Sequence, residues 1–304
     1  MRQYLNLLDD IYTTGMLRPG ERTGTGTKAK YFKTLEFYLD EGFPVVTTKF
    51  VPIRLVLEEL LWMVSGSRNI KPLVDADVNI WNEWPFQRYL EKMKLVKKYP
   101  KYSDGWKEQL KAFVQRIKED SSFAEEFGDL GSVYGFQWRH WKGRGYKVVD
   151  QLATVIHGIK NNPHGRRHIV TAWDPSVLDE VALPPCHMYF QFFVGDGTLD
   201  CTMYQRSVDS FLGLPFNIAS YSALTKMVAQ VCGLKAHKFN WVGGDTHIYL
   251  NHLEQVALQL TREPKPLPTL VIDPSVKDID DFNKDHFRLD NYQYHPAIKG
   301  VISV

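Results

Sequence analysis

The chain has 304 residues and a formal net charge of +2, with 44% hydrophobic and 24% charged residues. This composition is typical of a folded globular protein, and it lacks the basic excess of a protein whose main task is to hold a nucleic-acid backbone. The three cysteines, Cys186, Cys201 and Cys232, are widely spaced and odd in number, which disfavours a disulfide framework or a zinc site. No segment resembles a membrane span or a signal peptide, so we expect a cytoplasmic protein with no metal, no membrane partner and no requirement for nucleic acid.

The first half of the chain contains two helical patterns and a glycine-rich loop. We predict helices at residues 4–12 and 53–64, the second with the sequence IRLVLEELLWMV. The loop at residues 20–27 contains three glycines, which allow close approach of the backbone to a ligand. In residues 88–127, KEQLKAFVQRIKEDSSFAEEF predicts an exposed amphipathic helix with Leu110, Phe113 and Ile117 on one stripe. We therefore predict a small helical insertion at about 88–127 in a single domain that spans residues 1–304.

The second half contains a strand pair and a further helix. Alternation in residues 188–194 and in TLDCTMYQ, around Gly195-Asp196-Gly197, predicts a β-hairpin. Pro215 and Asn217 are expected to open a helix at 218–232, with Gly233 as its C-terminal cap. Interleaved helices and antiparallel strands favour the α+β class.

Cys186 has two interpretations. It follows two prolines in LPPCH, which hold the backbone rigidly before the hairpin. A lone cysteine is more often a small buried hydrophobe, and an electropositive setting would instead make it a nucleophile. The arginines that could supply that setting, or bind a phosphate with their forked donors, are Arg22, Arg166, Arg167 and Arg206.

Glu59 is predicted to face the interior of its helix. Its neighbours three and four positions away are apolar, whereas Glu58 has Arg54 as a possible partner four positions earlier. A buried carboxyl must be hydrogen-bonded, neutralised or functional, although a glutamate at the helix edge is an equally good interpretation.

Other polar and aromatic residues remain ambiguous. Asn217 is either a helix N-cap or an amide that recognises a uracil edge. Asp209, His247 and Tyr249 could be hydrogen-bonding groups in the core, and Trp81 and Trp84 could be core residues or platforms for a flat cofactor.

Long motifs decide between these interpretations. LPPCHMYFQFFV, YQRSVDSFLGLPFNIASYSALT and GGDTHIYLNH resemble the thymidylate synthase family in sequence, order and spacing, and RTGTGT, VLEELLW and RRHIVTAWDP extend the likeness over almost the whole chain. The resemblance implies an α+β fold with a large mixed sheet flanked by helices, one face of which packs in a homodimer. It also implies reductive methylation of deoxyuridylate (dUMP) to thymidylate (dTMP), with 5,10-methylenetetrahydrofolate as cosubstrate.

The resemblance also implies individual roles. Cys186 would add to C6 of the nucleotide, and Arg166 and Arg167 would reach the phosphate of the partner subunit. The implied catalytic residues are Cys186, Glu59, Tyr134, Arg206, Asn217 and Asp209. The implied nucleotide-binding residues are Arg22, Arg166, Arg167, Gln205, Ser207, His187, His247 and Tyr249. The implied folate-binding residues are Ile80, Trp81, Asp209, Gly213, Phe216, Lys49 and Val304.

The chain departs from the family pattern at its end, and two alternatives follow. The terminal residues KGVISV keep the final valine but place Gly300 where a bulkier or proline-containing approach is common, which raises the prospect of a looser lid over the folate. The nearest alternative is a hydroxymethylase that acts on dUMP with the same early steps; a cytidylate enzyme is disfavoured by Asn217. A non-catalytic nucleotide-binding homologue is disfavoured by Cys186, Glu59 and Arg206, since binding alone needs no thiol.

Overall fold

The structure, a computed structural model, describes residues 1–20 and 24–301. Its helices are α1 (Arg2–Thr14), α2 (Ile53–Val64), α3 (Lys71–Asp75), α4 (Glu83–Lys92), α5 (Asp104–Glu119), α6 (Ser121–Phe127), α7 (Tyr134–His140), α8 (Gln151–Asn161), α9 (Gly213–Val231) and α10 (Leu253–Leu260). Its strands are β1 (Met16–Arg18), β2 (Thr27–Tyr38), β3 (Trp141–Lys142), β4 (Val148–Val149), β5 (Ile169–Thr171), β6 (His187–Gly195), β7 (Thr198–Asp209), β8 (Lys235–Tyr249), β9 (Thr269–Ile272) and β10 (Phe287–Asp290).

A six-stranded mixed sheet dominates the fold, with the order β1-β2-β8-β7-β6-β5. The pairs β1–β2, β2–β8 and β6–β7 are antiparallel, whereas β7 and β8 run parallel. Parallel neighbours need a crossover, which the 19-residue helix α9 provides. The predicted α+β class with a mixed sheet flanked by helices is confirmed, while packing of that sheet in a dimer stays a prediction.

The two faces of the sheet differ in exposure. Side chains alternate along each strand, so Phe190 and Phe192 of β6 are buried while Tyr189 and Phe193 are exposed. Helix α9 packs against β7 and β8, and α1 packs against β2 and β8. The sheet therefore has one face covered by helices and an opposite face that carries exposed aromatic side chains.

The chain divides into two compact units. Unit 1 contains residues 1–57, 153–170 and the described chain from Cys186 onwards, and unit 2 contains Glu58–Leu152 and Thr171–Pro185. The predicted insertion at 88–127 falls within unit 2 and the single-domain description stays a prediction. Among residues 1–20 and 24–301, no helix combines the length and apolarity that a membrane crossing requires.

Residues 107–127 belong to two helices, α5 and α6, in place of the one helix predicted there. Asp120 separates α5 from α6 because its backbone is extended, and its carboxylate accepts a hydrogen bond from the N–H of Phe123 at 3.0 Å. Phe113 and Ile117 are buried, as the stripe predicts. They belong to a core that unit 2 builds largely from rings, in which Phe86 packs edge-on against Trp106.

The other predicted elements are found with one change. Helices α1 and α2 and the β6–β7 hairpin are confirmed, and α2 has the predicted bounds. The prediction that the later helix begins at residue 218 was wrong, because α9 already begins at Gly213. The turn that leads into α9 is held by Asp209, whose Oδ1 accepts hydrogen bonds from the backbone N–H groups of Phe211 (2.8 Å) and Leu212 (3.1 Å).

Candidate active site

Cys186 lies immediately before β6 in unit 1. Its carbonyl accepts a hydrogen bond of 2.8 Å from the backbone N–H of Arg206, so the two residues are held side by side. The guanidinium Nη2 of Arg206 lies 3.8 Å from Cys186 Sγ. A fixed positive charge beside sulfur stabilises a thiolate relative to a thiol, and Cys186 is only half-buried. This is the electropositive setting that a nucleophilic cysteine requires.

The other two cysteines have a different environment. Burial raises the pKa of Cys201 to about 12 and that of Cys232 to about 11, so both are neutral thiols near pH 7. Cys201 lies fully buried in β7. Cys232 is half-buried at the C-terminal end of α9. All three cysteines are free thiols.

Asn217 does not cap α9. Leu212 occupies the N-cap position, and Asn217 is the fifth residue of the helix. Its Oδ1 accepts a 2.9 Å hydrogen bond from Nε2 of Gln205, a buried residue of β7. The cap interpretation was therefore wrong, and the half-buried Asn217 amide is held by a side chain from the sheet.

Gln205 is in turn held by Trp241, which is not among the site residues predicted from the sequence. The indole Nε1 of Trp241, in β8, donates a 2.9 Å hydrogen bond to Gln205 Oε1. Trp241 is fully buried. In the sequence, the spacing of Trp241 and Gly243 indicates only that both residues face the same side of a strand. That the indole meets Gln205 follows from the pairing of β8 with β7, which the sequence pattern does not give.

His187 is a buried neutral imidazole. Burial lowers its pKa to about 3, and its Nδ1 lies 2.8 Å from the hydroxyl of Tyr221 in α9. Because the ring stays neutral, it acts here as a hydrogen-bonding group with no charge.

His247 and Tyr249 lie together near the end of β8. Asp245 Oδ1 lies 2.9 Å from His247 Nδ1, and this hydrogen bond is the main reason why the pKa of Asp245 is lowered. Because the carboxylate accepts from Nδ1–H, a neutral His247 keeps its lone pair on Nε2. The two rings meet edge to face with centroids 5.0 Å apart. Parallel pairing places Ser207 of β7 opposite Asp245, so these polar groups share one end of the β7–β8 pair.

Lys49 is buried beneath the start of α9. Its Nζ donates a 2.5 Å hydrogen bond to the carbonyl of Phe211 and lies 3.7 Å from the centroid of the Phe211 ring. Burial lowers the pKa of Lys49 to about 8, and the negative charge of Asp209 opposes that shift. The ammonium therefore supports the turn that positions Asp209.

The described end of the chain packs on the same turn. His252 is fully buried, and its Nε2 lies 2.8 Å from the carbonyl of Val301. A Cβ added to Gly300 would lie 3.0 Å from both His252 Nε2 and Phe211 Cε1. The glycine that was expected to loosen the tail thus allows a close contact that a larger residue would disturb. His252 Nδ1 lies 3.8 Å from Asp209 Oδ2.

The remaining candidates of unit 1 are spread between the surface and the start of α9. Arg166 and Arg167 are exposed on the segment between α8 and β5. Gly213 and Phe216 are half-buried in the first turns of α9, and a Cβ on Gly213 would meet nothing nearer than 4.0 Å. Two further candidates, Arg22 and Val304, lie outside the described residues.

In unit 2, Glu59 carries a carboxyl with a perturbed pKa. It is 6% exposed in α2, facing inward as its apolar helical neighbours predict. Burial raises its pKa from 4.5 to about 7, although a 2.7 Å hydrogen bond from the indole Nε1 of Trp81 to Oε1 opposes the shift. The carboxyl can therefore hold or release a proton near neutral pH.

Aromatic residues pack around Trp81, which donates the hydrogen bond to this carboxyl. Trp81 is 6% exposed, and its ring lies 5.2 Å from that of the half-buried Trp84 and 5.5 Å from that of Tyr134. Tyr134 opens α7 with a φ of 38°, which is unfavourable for a side chain with a Cβ. Such backbone strain is concentrated at functional positions in proteins. Ile80, the remaining folate candidate, is half-buried beside Trp81.

Unit 1 of this α+β chain holds a half-buried thiol beside a guanidinium, and unit 2 holds a buried carboxyl with a pKa of about 7. These are the kinds of group that enzymes use for covalent and for acid–base catalysis. The family model described as thymidylate synthase matches residues 2–304. Two relatives named thymidylate synthase, from Listeria monocytogenes serotype 4a (strain HCC23) and Listeria innocua serovar 6a, are each 45% identical over 315 aligned positions, which cover the whole of both chains. The chain belongs to the thymidylate synthase family.

Proposed function

We propose that this chain converts dUMP to dTMP, with 5,10-methylenetetrahydrofolate as cosubstrate, through a covalent bond between Cys186 and the pyrimidine. The observation that carries the proposal is the 3.8 Å separation of Cys186 Sγ from Arg206 Nη2 in a chain that belongs to this family over its full length. The cytoplasm suits this chemistry because it keeps a catalytic thiol reduced.

Cys186 performs the covalent step. The thiolate attacks C6 of uracil, so that an S–C6 bond forms, the C5–C6 π bond opens and its electron pair moves to C5 and O4 as an enolate. C5 is thereby made nucleophilic. Breaking the S–C6 bond at the end returns the electron pair to sulfur, and the Arg206 guanidinium stabilises the thiolate again.

The nucleotide is held by groups at the ends of β6, β7 and β8. Arg206 and Ser207 bind the phosphate together with Arg22, and His247 and Tyr249 bind the ribose hydroxyl. Asn217 recognises the base, since an amide presents one acceptor for N3–H and donors for O4. A donor at O4 also stabilises the charge that develops there in the enolate.

Proton transfers are assigned to Glu59 and Tyr134 of unit 2. A general acid or base works best when its pKa is near the working pH, and the Glu59 pKa of about 7 meets that condition. Ordered water carries protons between these groups and the pyrimidine, and Trp81 holds the carboxyl in place.

The residues assigned to the folate are suited to a flat heterocycle. Trp81 and Trp84 in unit 2 offer rings for stacking, and in unit 1 Gly213 lies close to Asp209, where a Cβ would be in ordinary van der Waals contact with the Asp209 side chain. When bound, 5,10-methylenetetrahydrofolate supplies the one-carbon unit and the hydride. The chain's own contribution is to orient that group and to exclude water.

The proposal includes a homodimer in which Arg166 and Arg167 reach the phosphate site of the partner. It is supported by the uncovered sheet face, where Tyr31 is 79% exposed and Phe193 is 67% exposed, because large exposed rings in a sheet face are typical of an interface. Phe193→Asp should therefore produce monomers in analytical ultracentrifugation. Val148→Asp, at another exposed apolar position, is the matched control and should leave the dimer intact.

A complementation experiment tests the shared site. Arg166→Ala and Cys186→Ala should each be inactive alone, and mixing them should recover about a quarter of the wild-type activity, since half of the random dimers contain one intact site. Exchange of subunits without recovery would contradict the shared site.

The product tests the reaction itself. Purified protein with dUMP and 5,10-methylenetetrahydrofolate should yield dTMP and dihydrofolate in equal amounts, which chromatography and the absorbance of dihydrofolate detect. If the product is 5-hydroxymethyl-dUMP with tetrahydrofolate, the hydroxymethylase alternative is correct.

A further inference from the structure

The contact between Trp241 and Gln205 results from the absence of a side chain at Gly243. Residues two apart on a strand face the same side, and Gly243 is the register partner of Gln205 in the parallel β7–β8 pair. A Cβ on Gly243 would lie 2.1 Å from Cη2 and 2.4 Å from Cζ2 of Trp241. The indole therefore occupies the space above Gly243, and this brings its Nε1 to Gln205.

The indole determines the direction of every hydrogen bond that follows. An indole nitrogen can only donate, so the atom of Gln205 that it meets at 2.9 Å must be the oxygen Oε1. The Gln205 amide then presents Nε2, which donates to Asn217 at 2.9 Å and requires an oxygen there. The Nδ2 group of Asn217 consequently points away from Gln205.

The orientation of the Asn217 amide matters because its donor and acceptor ends have nearly the same shape and can exchange places. Uracil presents a donor at N3 and an acceptor at O4, whereas cytosine presents an acceptor at N3 and a donor at N4. A freely rotating Asn217 could match either base by turning its amide over by about 180°. Selectivity therefore requires another group that decides which atom of the amide faces which way.

We propose that Trp241, seated on Gly243, is that positioning residue: it fixes the Asn217 amide through Gln205 and so makes the site select uracil over cytosine. The proposal rests on the function proposed above, in which Asn217 recognises the base. Trp241 acts on Asn217 only through Gln205 in this proposal. All three side chains of the relay belong to unit 1, and Trp241 and Gln205 are both buried, so turning over one amide would leave buried groups without partners.

Equilibrium binding of dUMP and dCMP to the full-length protein tests the proposal. Trp241→Phe keeps an aromatic ring but removes the N–H, and we expect the ratio of dUMP to dCMP affinity to fall about 10-fold to 100-fold, the range expected when one buried hydrogen bond decides an orientation. Trp106→Phe is the matched control. Trp106 is another buried tryptophan, its Nε1 has no hydrogen-bond partner in the described chain, and its replacement should leave the ratio unchanged.

A double-mutant cycle separates this role from general loss of packing. Gln205→Met should lower the same ratio, and Trp241→Phe should have no further effect on the ratio in the Gln205→Met background, since the relay is already interrupted. Additive effects of the two substitutions on the ratio would overturn the proposal. The cycle also provides a test through Gln205→Met alone if Trp241→Phe does not fold, because an unchanged ratio in that variant excludes the relay.

Asn217→Ala distinguishes this inference from the function on which it rests. If Asn217→Ala leaves the dUMP to dCMP ratio unchanged, recognition of the base by Asn217 is wrong and the relay fails with it. If Asn217→Ala lowers the ratio and Trp241→Phe does not, the base recognition stands and the role of Trp241 is wrong. We expect the ratio of dUMP to dCMP affinity to fall in both Asn217→Ala and Trp241→Phe and to stay unchanged in Trp106→Phe.

Discussion

The indole nitrogen of Trp81 donates a 2.7 Å hydrogen bond to the carboxyl of Glu59, and this contact opposes the rise in the Glu59 pKa that burial causes. One side chain thus both holds the carboxyl in position and limits how basic it becomes. Because the pKa lies at about 7, a modest change in either effect alters the protonation of Glu59 at neutral pH.

Trp81→Phe should raise the pKa of Glu59 above its present value of about 7, because the hydrogen bond that favours the ionised form is lost while the burial remains. Carbon-13 NMR of labelled glutamate side chains would follow the titration. Trp62→Phe is the control: its Nε1 bonds to the carbonyl of Asn69, and its ring lies 6.1 Å from that of Trp81, so the Glu59 titration should stay in place. A downward shift in Trp81→Phe would contradict the assignment of the hydrogen bond.

Glu59 should also make the stability of the chain depend on pH. Its folded pKa is raised from 4.5 to about 7, so between these values the unfolded state releases a proton that the folded state keeps. The free energy of unfolding should therefore fall as pH rises through this range, by up to about 3 kcal/mol from this group. Denaturant unfolding of the wild type and of Glu59→Gln, compared at each pH, isolates the effect. A difference between the two proteins that does not vary with pH would show that Glu59 titrates normally.

The three cysteines should differ in reactivity towards iodoacetamide at about pH 7.5, where the thiolate is the reacting form. Cys186 should be alkylated first, since burial raises the pKa of Cys201 to about 12 and that of Cys232 to about 11. Peptide mass spectrometry reads out each site. Arg206→Ala should slow the labelling of Cys186, whereas Arg144→Ala, which removes an exposed guanidinium to which no role in the site is assigned, is the control. Fast labelling of Cys186 without Arg206 would exclude the guanidinium as the group that activates it.

Gly300→Ala should weaken the seating of the tail, because the new Cβ would lie 3.0 Å from His252 Nε2 and from Phe211 Cε1. We expect KM for 5,10-methylenetetrahydrofolate to rise about 5-fold or more, with dUMP affinity unchanged, if the tail covers the folate. Lys299→Ala, at the exposed neighbouring position, is the control. Equal loss of affinity for both ligands would point to general disruption of the site instead.

The local features of the fold could be predicted because they depend on neighbours in the chain. Helix α2 and the inward orientation of Glu59 follow from a 3.6-residue period, and the β6–β7 hairpin follows from alternation around a glycine-rich turn. The start of α9 could not be predicted in this way. The turn before α9 is held by the carboxylate of Asp209, which belongs to the preceding strand, and no local pattern indicates that contact. The position of Pro215 alone therefore suggested a later start for the helix.

The candidate site depended on information that a single sequence does not contain. The resemblance assigned roles to Asn217 and Gln205, but the link from Gln205 to Trp241 requires the parallel register of β7 and β8, which are joined through a 19-residue helix. The same holds for His252, which meets Val301 from 49 positions away. Such contacts depend on which segments pair in the folded chain, and this pairing cannot be predicted from periodicity or composition.

The space above Gly243 has a consequence for folding as well. If β8 paired with β7 one residue out of register, its side chains would exchange faces, and the Trp241 indole would leave the covered side of the sheet. Gln205 would then be buried without its donor, which carries a large free-energy cost. The contact between Trp241 and Gln205 would thereby also discriminate between the native strand alignment and its nearest error. Under the proposed relay, a chain that has folded with the wrong alignment also lacks the contact that selects its nucleotide.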